Sequence, residues 1–586
     1  MNTDAVTRRT LLALGRFGRC VCAVLVVAAV SSCSDAQSGP PSLHVTVDLP
    51  VGADQVEASH AWVTIVGPDG EEVELGSGQS FDELEPGDYV VTAEDVEIGG
   101  RHYIALPPRT SVTLIEGMKA TVPVTFVDSV EYRQLYAPAA VQLRTGSFTF
   151  HVDCVDGNDG FSGLSPDRAV RTLERANQLS LRPGDRLLLK RECSWQGPLT
   201  IRWSGTEEWP VTIGAYGEGT PPIVRDSRQN NVDVHGSYIV VEHVWGATEP
   251  FSLPLDAGCH DQPVAWRSGF TVQHEAHDVT LRYVIATGNT AGVHLTRGAQ
   301  RVHLLHSQLV DNVVMSVNSN DGGFDDSGAW GLLINGSDNV IAYNTFSGNN
   351  AWCSYDFGQE GASIEIYEGV NNLIHHNVSI DDTTFSEIGS SSRRAARDNV
   401  FAYNVYASSL PVSQFMVIRG DDAHFGPTHG TGLYHNTVHL THPDETQGVV
   451  CYAGCGPELL DARNNVIWVE WKALYADAPF TESHNIFWNS RGRPLLQFLN
   501  DVSSMSPTSL IADPGFLDAD ARDYRLGLGS PAAGAGTELE LEFEIDIELD
   551  FKFDAIGVEI PREGPVYIGA FHGSYDIELL RFLGNW

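Results

Sequence analysis

Two short segments of this chain, Ser363-Ile364-Glu365-Ile366 and Phe385-Ser386-Glu387-Ile388, set a glutamate among apolar residues at matching positions. In a strand, alternation turns Ile364 and Ile366 inward and Glu365 outward, and it treats Glu387 the same way. If the segments are neighbouring strands, the two carboxylates stack about 4.7–4.9 Å apart. Such a pair has few physical solutions: it shares a proton with one pKa raised, binds a cation, or pairs with an arginine. Carboxyls about 5–5.5 Å apart serve a retaining glycosidase as acid and nucleophile, whereas about 6.5–9.5 Å suits an inverting one. Met416-Val417-Ile418-Arg419 places Arg419 one strand further on, and Gly292-Val293-His294-Leu295 places His294 earlier on the same face. The catalytic candidates are therefore Glu365, Glu387, Arg419 and His294, with His424 and His429 from the loop after Arg419. As ligands for a metal, Ca²⁺ first, the candidates are Glu365, Glu387, Asp325 and Asp326. Further loop groups are Asp321, Arg393, Arg394, Asp421 and Asp422. An outward glutamate on such a face is equally well a solvated side chain.

What would hold these residues in register is a repeat. Asn-x-apolar triplets recur at Asn344, Asn377, Asn404, Asn436, Asn465 and Asn485, each after a tyrosine, histidine or asparagine. Their steps of 33, 27, 32, 29 and 20 residues signal stacked units that bury a core only together. The β-branched and aromatic residues around them favour strands. One coil of a parallel β-helix sets each asparagine over the last, where the amides can bond along the stack. Unequal steps then mean loops of unequal length leaving one edge, where binding sites concentrate. His376, His435 and His484, just before ladder asparagines, read as parts of the repeat rather than of a site.

Composition narrows the partners. The chain has 76 acidic against 36 basic side chains, a formal net charge of −40. Such a surface repels nucleic acid and anionic headgroups, so a membrane is reached only through an anchor. Residues 1–33 supply one: Arg8 and Arg9, an apolar run from Val21 to Val30, and Val30-Ser31-Ser32-Cys33 describe an export signal. The last four residues resemble a bacterial lipobox, which implies a lipid on Cys33 and a cell-envelope location, with outer membrane or cell surface favoured by Ser34. Cys154, Cys193, Cys259, Cys353, Cys451 and Cys455 remain, an even number for an oxidising compartment. Cys154 with Cys193, and Cys451 with Cys455, are the plausible pairs.

After a tether over 34–42, residues 43–127 alternate apolar and polar in short runs between turns such as Gly67-Pro68-Asp69-Gly70. That is the pattern of a small antiparallel β-sandwich, and Leu84 to Val91 resembles the hairpin entry of carboxypeptidase-regulatory-like sandwiches. A linker over 128–147 follows. The next domain, 148–575, begins with Phe150-His151-Val152-Asp153 and Asp156-Gly157-Asn158-Asp159-Gly160. A capping helix is expected around Ala169 to Leu179, then Arg182-Pro183-Gly184-Asp185 and Ile213-Gly214-Ala215-Tyr216-Gly217. It ends with Asp513-Pro514-Gly515-Phe516, Asp523-Tyr524-Arg525-Leu526, Gly529-Ser530-Pro531-Ala532 and Ile568-Gly569-Ala570-Phe571, before a tail over 576–586. The acidic-apolar alternation of Glu538 to Asp550 within this part reads as an exposed edge strand. The order of these motifs resembles pectate-lyase-like proteins, and it implies an all-β, right-handed parallel β-helix, a single-stranded solenoid with an N-terminal cap and a closing segment.

That superfamily hosts polysaccharide lyases, glycoside hydrolases, esterases, epimerases and inert surface proteins, so the resemblance implies an architecture and leaves the reaction open. It also implies that a carboxylate pair with Ca²⁺ could clamp a uronate carboxyl group. The chain departs from enzymes of this kind in two ways. The Asn-Thr-Asp and Arg-Ile-Lys tripeptides of polygalacturonase-like sites are absent. Lysine, a frequent base in β-helix lyases, occurs as Lys119, Lys190, Lys472 and Lys552, none on the proposed face. The expectation is a monomeric, envelope-anchored protein that cleaves a polysaccharide by β-elimination or hydrolysis. A non-catalytic surface protein that binds glycans or another cell is the alternative.

Overall fold

A computed structural model describes residues 147–575 apart from 228, 249–265, 318–322, 324–325, 493, 499–504, 540–553, 556–564 and 573. Before residue 147 it describes residue 84 and short strands between 42 and 128. The expected signal with Cys33, the linker and most of the acidic segment from Glu538 lie outside the described residues.

Three sheets dominate, of twelve, twelve and eleven strands, each running parallel from coil to coil. Every coil contributes one short strand to each sheet, and the chain returns to the first sheet one rung further along. With right-handed crossovers, the rule for parallel strands, this is the right-handed parallel β-helix that the motif order implied. Short strands suffice because each pairs on both sides and turns one apolar row inward. The row includes Leu187, Ile213, Val241, Leu281, Leu304, Ile341, Ile374, Phe401 and Leu433, all fully buried. Among the described residues no helix is long and apolar enough to cross a membrane.

The asparagines form the expected ladder. Nδ2 of Asn344, Asn377, Asn404, Asn436 and Asn465 donates to Oδ1 of the next asparagine at 2.9–3.0 Å. Each backbone N–H of the ladder bonds the same oxygen, so a buried amide is satisfied on both sides. The residue before each adopts a left-handed φ, from 53° to 61°, which is uncommon for a non-glycine side chain. Ring stacking accompanies that conformation. His306–Tyr343, Tyr343–His376, His376–Tyr403 and Tyr403–His435 have centroids 4.7–5.2 Å apart. The histidines assigned to the repeat are thus in it.

Two more ladders flank the first. Asn339, Asn372 and Asn399 bond in turn at 2.7 and 2.8 Å, and Asn289, Asn312 and Asn349 run on to Asp382.

The cap differs from the expectation in its helix. Pro166–Arg168 is a turn of 3₁₀-helix, Val170 bridges to Val152, and the α-helix is a single turn, Leu173–Ala176. Thr172 ends the extended stretch because its hydroxyl caps the N–H of Arg175. Disulfides join Cys154 to Cys193 and Cys451 to Cys455. The closing segment lies along the outside of the second sheet: Ala570 and Phe571 pack on Val378, Val405 and Ala407, with Tyr524. In the region of the expected sandwich, five strands form one sheet and four another. The side chains that would show how these sheets face each other lie largely outside the described residues.

Candidate active site

The third sheet carries the candidates on its outer face. In the strand Ala362–Tyr367, Ile364 and Ile366 are fully buried while Glu365 keeps part of its surface in solvent. The strand Thr384–Gly389 does the same with Glu387, and the two glutamates are register partners. Beneath them Phe385 stacks on Phe415 at 5.4 Å and meets Tyr406 at 5.7 Å, so the strand is anchored from inside. On the next strand, Ser413–Arg419, Val417 stands opposite Glu387. Arg419 lies two residues further along and therefore points outward too.

Arg419 is 8% exposed and turns back over Gly389 to form an ion pair with Glu387. A Cβ at residue 389 would come 3.1 Å from Tyr367 Cδ2 and would meet Arg419 Nη1 and Phe425 at an ordinary 3.5 Å. Nη1 donates to the carbonyl of Ile388 at 2.8 Å, and Nε donates to the Tyr452 hydroxyl at 3.3 Å. The guanidinium lies over the Phe425 ring, 5.3 Å from its centroid. Ser390 pins the loop that carries this ring: its N–H donates to the Phe425 carbonyl at 2.6 Å and its Oγ to that of Pro427 at 2.5 Å.

Electrostatics separates the carboxyls. Burial pushes Glu365 up to about 8; Arg419 pulls the other way, and Glu360 adds to the rise. Glu360, from the hairpin Ala351–Ser354 with Gly358–Glu360, is pushed up to about 7 by burial, against Arg419 and with Asp326. Glu387 instead holds the ion pair with Arg419. At neutral pH the face thus holds a neutral carboxylic acid next to a carboxylate clamped by a guanidinium. That arrangement can give a proton and, one rung away, attack or take one.

The other candidates spread out. His294 pairs in register with Leu333, and Leu333 with Glu365, so the imidazole is two rungs from the acid. Its Nε2 bonds Oδ1 of Asn335 at 2.7 Å, and burial lowers its pKa. His424 is exposed and packs edge-on against Phe425 at 4.5 Å, so it reaches the site through that ring. His429 faces Asp421 at 3.7 Å. Asp326 is buried in the hairpin, accepting from Ser354 Oγ at 2.5 Å and from the Asp356 N–H at 2.8 Å. Asp325 and Asp321 lie outside the described residues. Arg394 donates to Ser337 Oγ at 2.9 Å and is thereby held at the first sheet's edge. Among the described residues, the trio of possible ligand atoms within 4.8 Å of one another is Asp153, Cys154 and Cys193, whose cysteines are joined to each other.

Sequence reasoning missed Glu360, Tyr452, Phe425 and Gly389. Glu360 sits in a hairpin inserted between repeats, where register on the asparagines gives no position. Tyr452 was within reach, because it occupies the position of Arg419 one coil on.

No protein-family model matches the chain, and no curated protein matches it. Solved structures do. The GH136 lacto-N-biosidase from Eubacterium ramulus is 15% identical with a TM-score of 0.44, over 61% of this chain and 68% of that one. A pectate lyase is 14% identical with a TM-score of 0.40, over 73% and 98%. An alginate lyase from a Paenibacillus strain is 14% identical with a TM-score of 0.36, over 57% and 97%. Likeness at this level decides nothing about reaction or substrate.

Proposed function

We propose that this protein is an envelope-anchored glycoside hydrolase whose acid is Glu365 and whose nucleophile is Glu387. The observation that carries the reading is their pairing on adjacent rungs, with Arg419 ion-paired to Glu387 and not to Glu365. Glu365 protonates the glycosidic oxygen as the bond to the anomeric carbon breaks. Glu387 attacks that carbon to form a glycosyl ester. Water then displaces Glu387 and gives its proton to Glu365, which restores both groups. The rung spacing of about 4.7–4.9 Å lies nearer the ~5–5.5 Å of retaining enzymes than the ~6.5–9.5 Å of inverting ones.

Elimination fits less well. It needs a cation at a uronate carboxyl group and a free base, but Arg419 is engaged by Glu387. Ca²⁺ seeks six to eight oxygens, whereas here a guanidinium already serves Glu387 and Glu365 is neutral. The reading therefore runs through Arg419 and through no metal. Anchoring rests on Val30-Ser31-Ser32-Cys33, and Cys33→Ser should release the protein from the membrane fraction.

The test incubates the full chain with neutral and acidic polysaccharides and follows reducing ends, unsaturated uronate absorbance and the anomeric proton of the first product. Reducing ends with retained configuration are expected. New absorbance would mean a lyase, and an inverted first product would remove Glu387 as nucleophile. Silence from folded protein across the panel would favour a protein that binds glycans without cutting them.

A further inference from the structure

Beside the carboxylates, on the same outer face, rings take over. Trp330 opens the strand whose Leu333 pairs with Glu365. Trp266 precedes the strand Ser268–Val272, and its ring lies 5.1 Å from that of His294 and 6.3 Å from that of Trp330. All three keep part of their surface in solvent. The group is tied to the acid's own strand. His294 bonds Asn335, and Asn335 Nδ2 donates to the carbonyl of Tyr367 at 2.8 Å, two residues after Glu365. Leu333 fills the outward position between His294 and Glu365 with no charge.

We propose that Trp266, Trp330 and His294 form a sugar subsite for one uncharged pyranose of a neutral glycan, a rung or two from the bond that is cut. The placing of that bond rests on the hydrolase reading above. Two features carry the proposal. Indole faces offer a broad apolar surface with a polar N–H at the rim, which suits the C–H face and hydroxyl edge of a pyranose. One such ring is comparable in length to one rung, so a glycan laid along the solenoid axis would reach the rings and the carboxyls together. Charge selects the same class. Glu360, Asp326, Glu365 and Glu387 share this stretch, and Arg419, the cation that bears on Glu360 and Glu365, is already paired with Glu387. The burial that disfavours the charged forms of Glu360 and Glu365 would disfavour a charged uronate set beside them as well. Burial also keeps the His294 imidazole below its ordinary pKa, so a sugar meets it as a neutral ring.

The test uses the full-length Glu365→Gln variant, which should hold glycans without turning them over, on an array of neutral and uronate oligosaccharides. Trp266→Ala and Trp330→Ala are made in the same background. Retention on neutral members is expected, with uronate members below them and at least a tenfold loss from either tryptophan change. Trp266 lies outside its strand, so its replacement gives a result even if Trp330→Ala fails to fold. Stronger retention on uronates, unchanged retention in folded Trp266→Ala, or no retention by folded protein on any member would overturn the subsite. Failure of the hydrolase reading looks different. Neutral glycans held through the tryptophans, with no reducing ends from the unmodified protein, would leave the subsite standing and remove the chemistry.

Discussion

Glu365 and Glu387 are the same residue on adjacent rungs, and their surroundings give them opposite tasks. Glu365 is half-buried with its ion-pair partner given to Glu387, and it stays protonated to about 8, so an activity that needs its proton should fall as pH rises through about 8. The pH–rate profile checks this, and a plateau to pH 10 would remove Glu365 as the acid. Glu365→Gln should lower turnover on the order of 10²–10⁴-fold while leaving the unfolding midpoint in urea in place. Arg419→Gln acts differently, because it leaves Glu387 charged among buried groups. We expect a loss of about 3 kcal/mol in urea unfolding. The glutamate pair was legible in the sequence because alternation and the asparagine register fix both positions. Glu360 was not, because its neighbourhood is made by an insertion that obeys neither periodicity. Nor could sequence show that Arg419 reaches backward over Gly389 rather than straight out to substrate.

At the scale of the element, the ladder makes distant residues mutually dependent. Asn404 bonds Asn377, Asn436 and the carbonyl of Ile374, so Asn404→Ala leaves buried donors and acceptors unmet and should cost about 3 kcal/mol. Asn485→Ala, at the last rung, should cost less; equal losses in denaturant titration would contradict the ladder account. The ring stack carries a pH signature. Burial holds His306 near 3, while an unfolded histidine titrates near 6.5. The unfolded chain therefore binds the extra proton, and stability is lost as pH falls from 6.5 toward 3. His306→Phe keeps the stack and should reduce the loss between pH 7 and pH 5 by up to about 2 kcal/mol. The first ladder was visible in the sequence. The flanking two were signalled as well: Asn339, Asn344 and Asn349 are five apart, and Asn372, Asn377 and Asp382 repeat the spacing. The capping helix expected around Ala169 to Leu179 is cut to the single turn Leu173–Ala176, because pairing of Val170 with Val152 outweighs local helix preference at its start.

The described coils form a stack, and the chain carries charge of one sign in large excess; self-repulsion of that kind weakens a folded state. Raising NaCl from about 0.01 M, where the screening length is about 30 Å, to about 0.15 M, where it is about 8 Å, should raise the thermal midpoint. No rise would mean that the acidic groups are already compensated locally. The solenoid itself was legible because its period runs through the chain, while the class of N-terminal unit rests on alternation alone.

The ladders also give the stack a direction. Within each, the side-chain-to-side-chain bonds all run from Nδ2 to the Oδ1 of a later rung, while the other Nδ2 hydrogen returns to an earlier backbone carbonyl, so the asparagine carbonyls face one way along the stack. Two of the three strings end, on the donor side, against a carboxyl group: Asn485 Nδ2 meets Glu482 Oε1 at 3.0 Å, and Asn349 Nδ2 meets Asp382. The long axis is in this sense an electret, a body with frozen-in polarity, and acidic side chains terminate it where its positive end would otherwise be left bare.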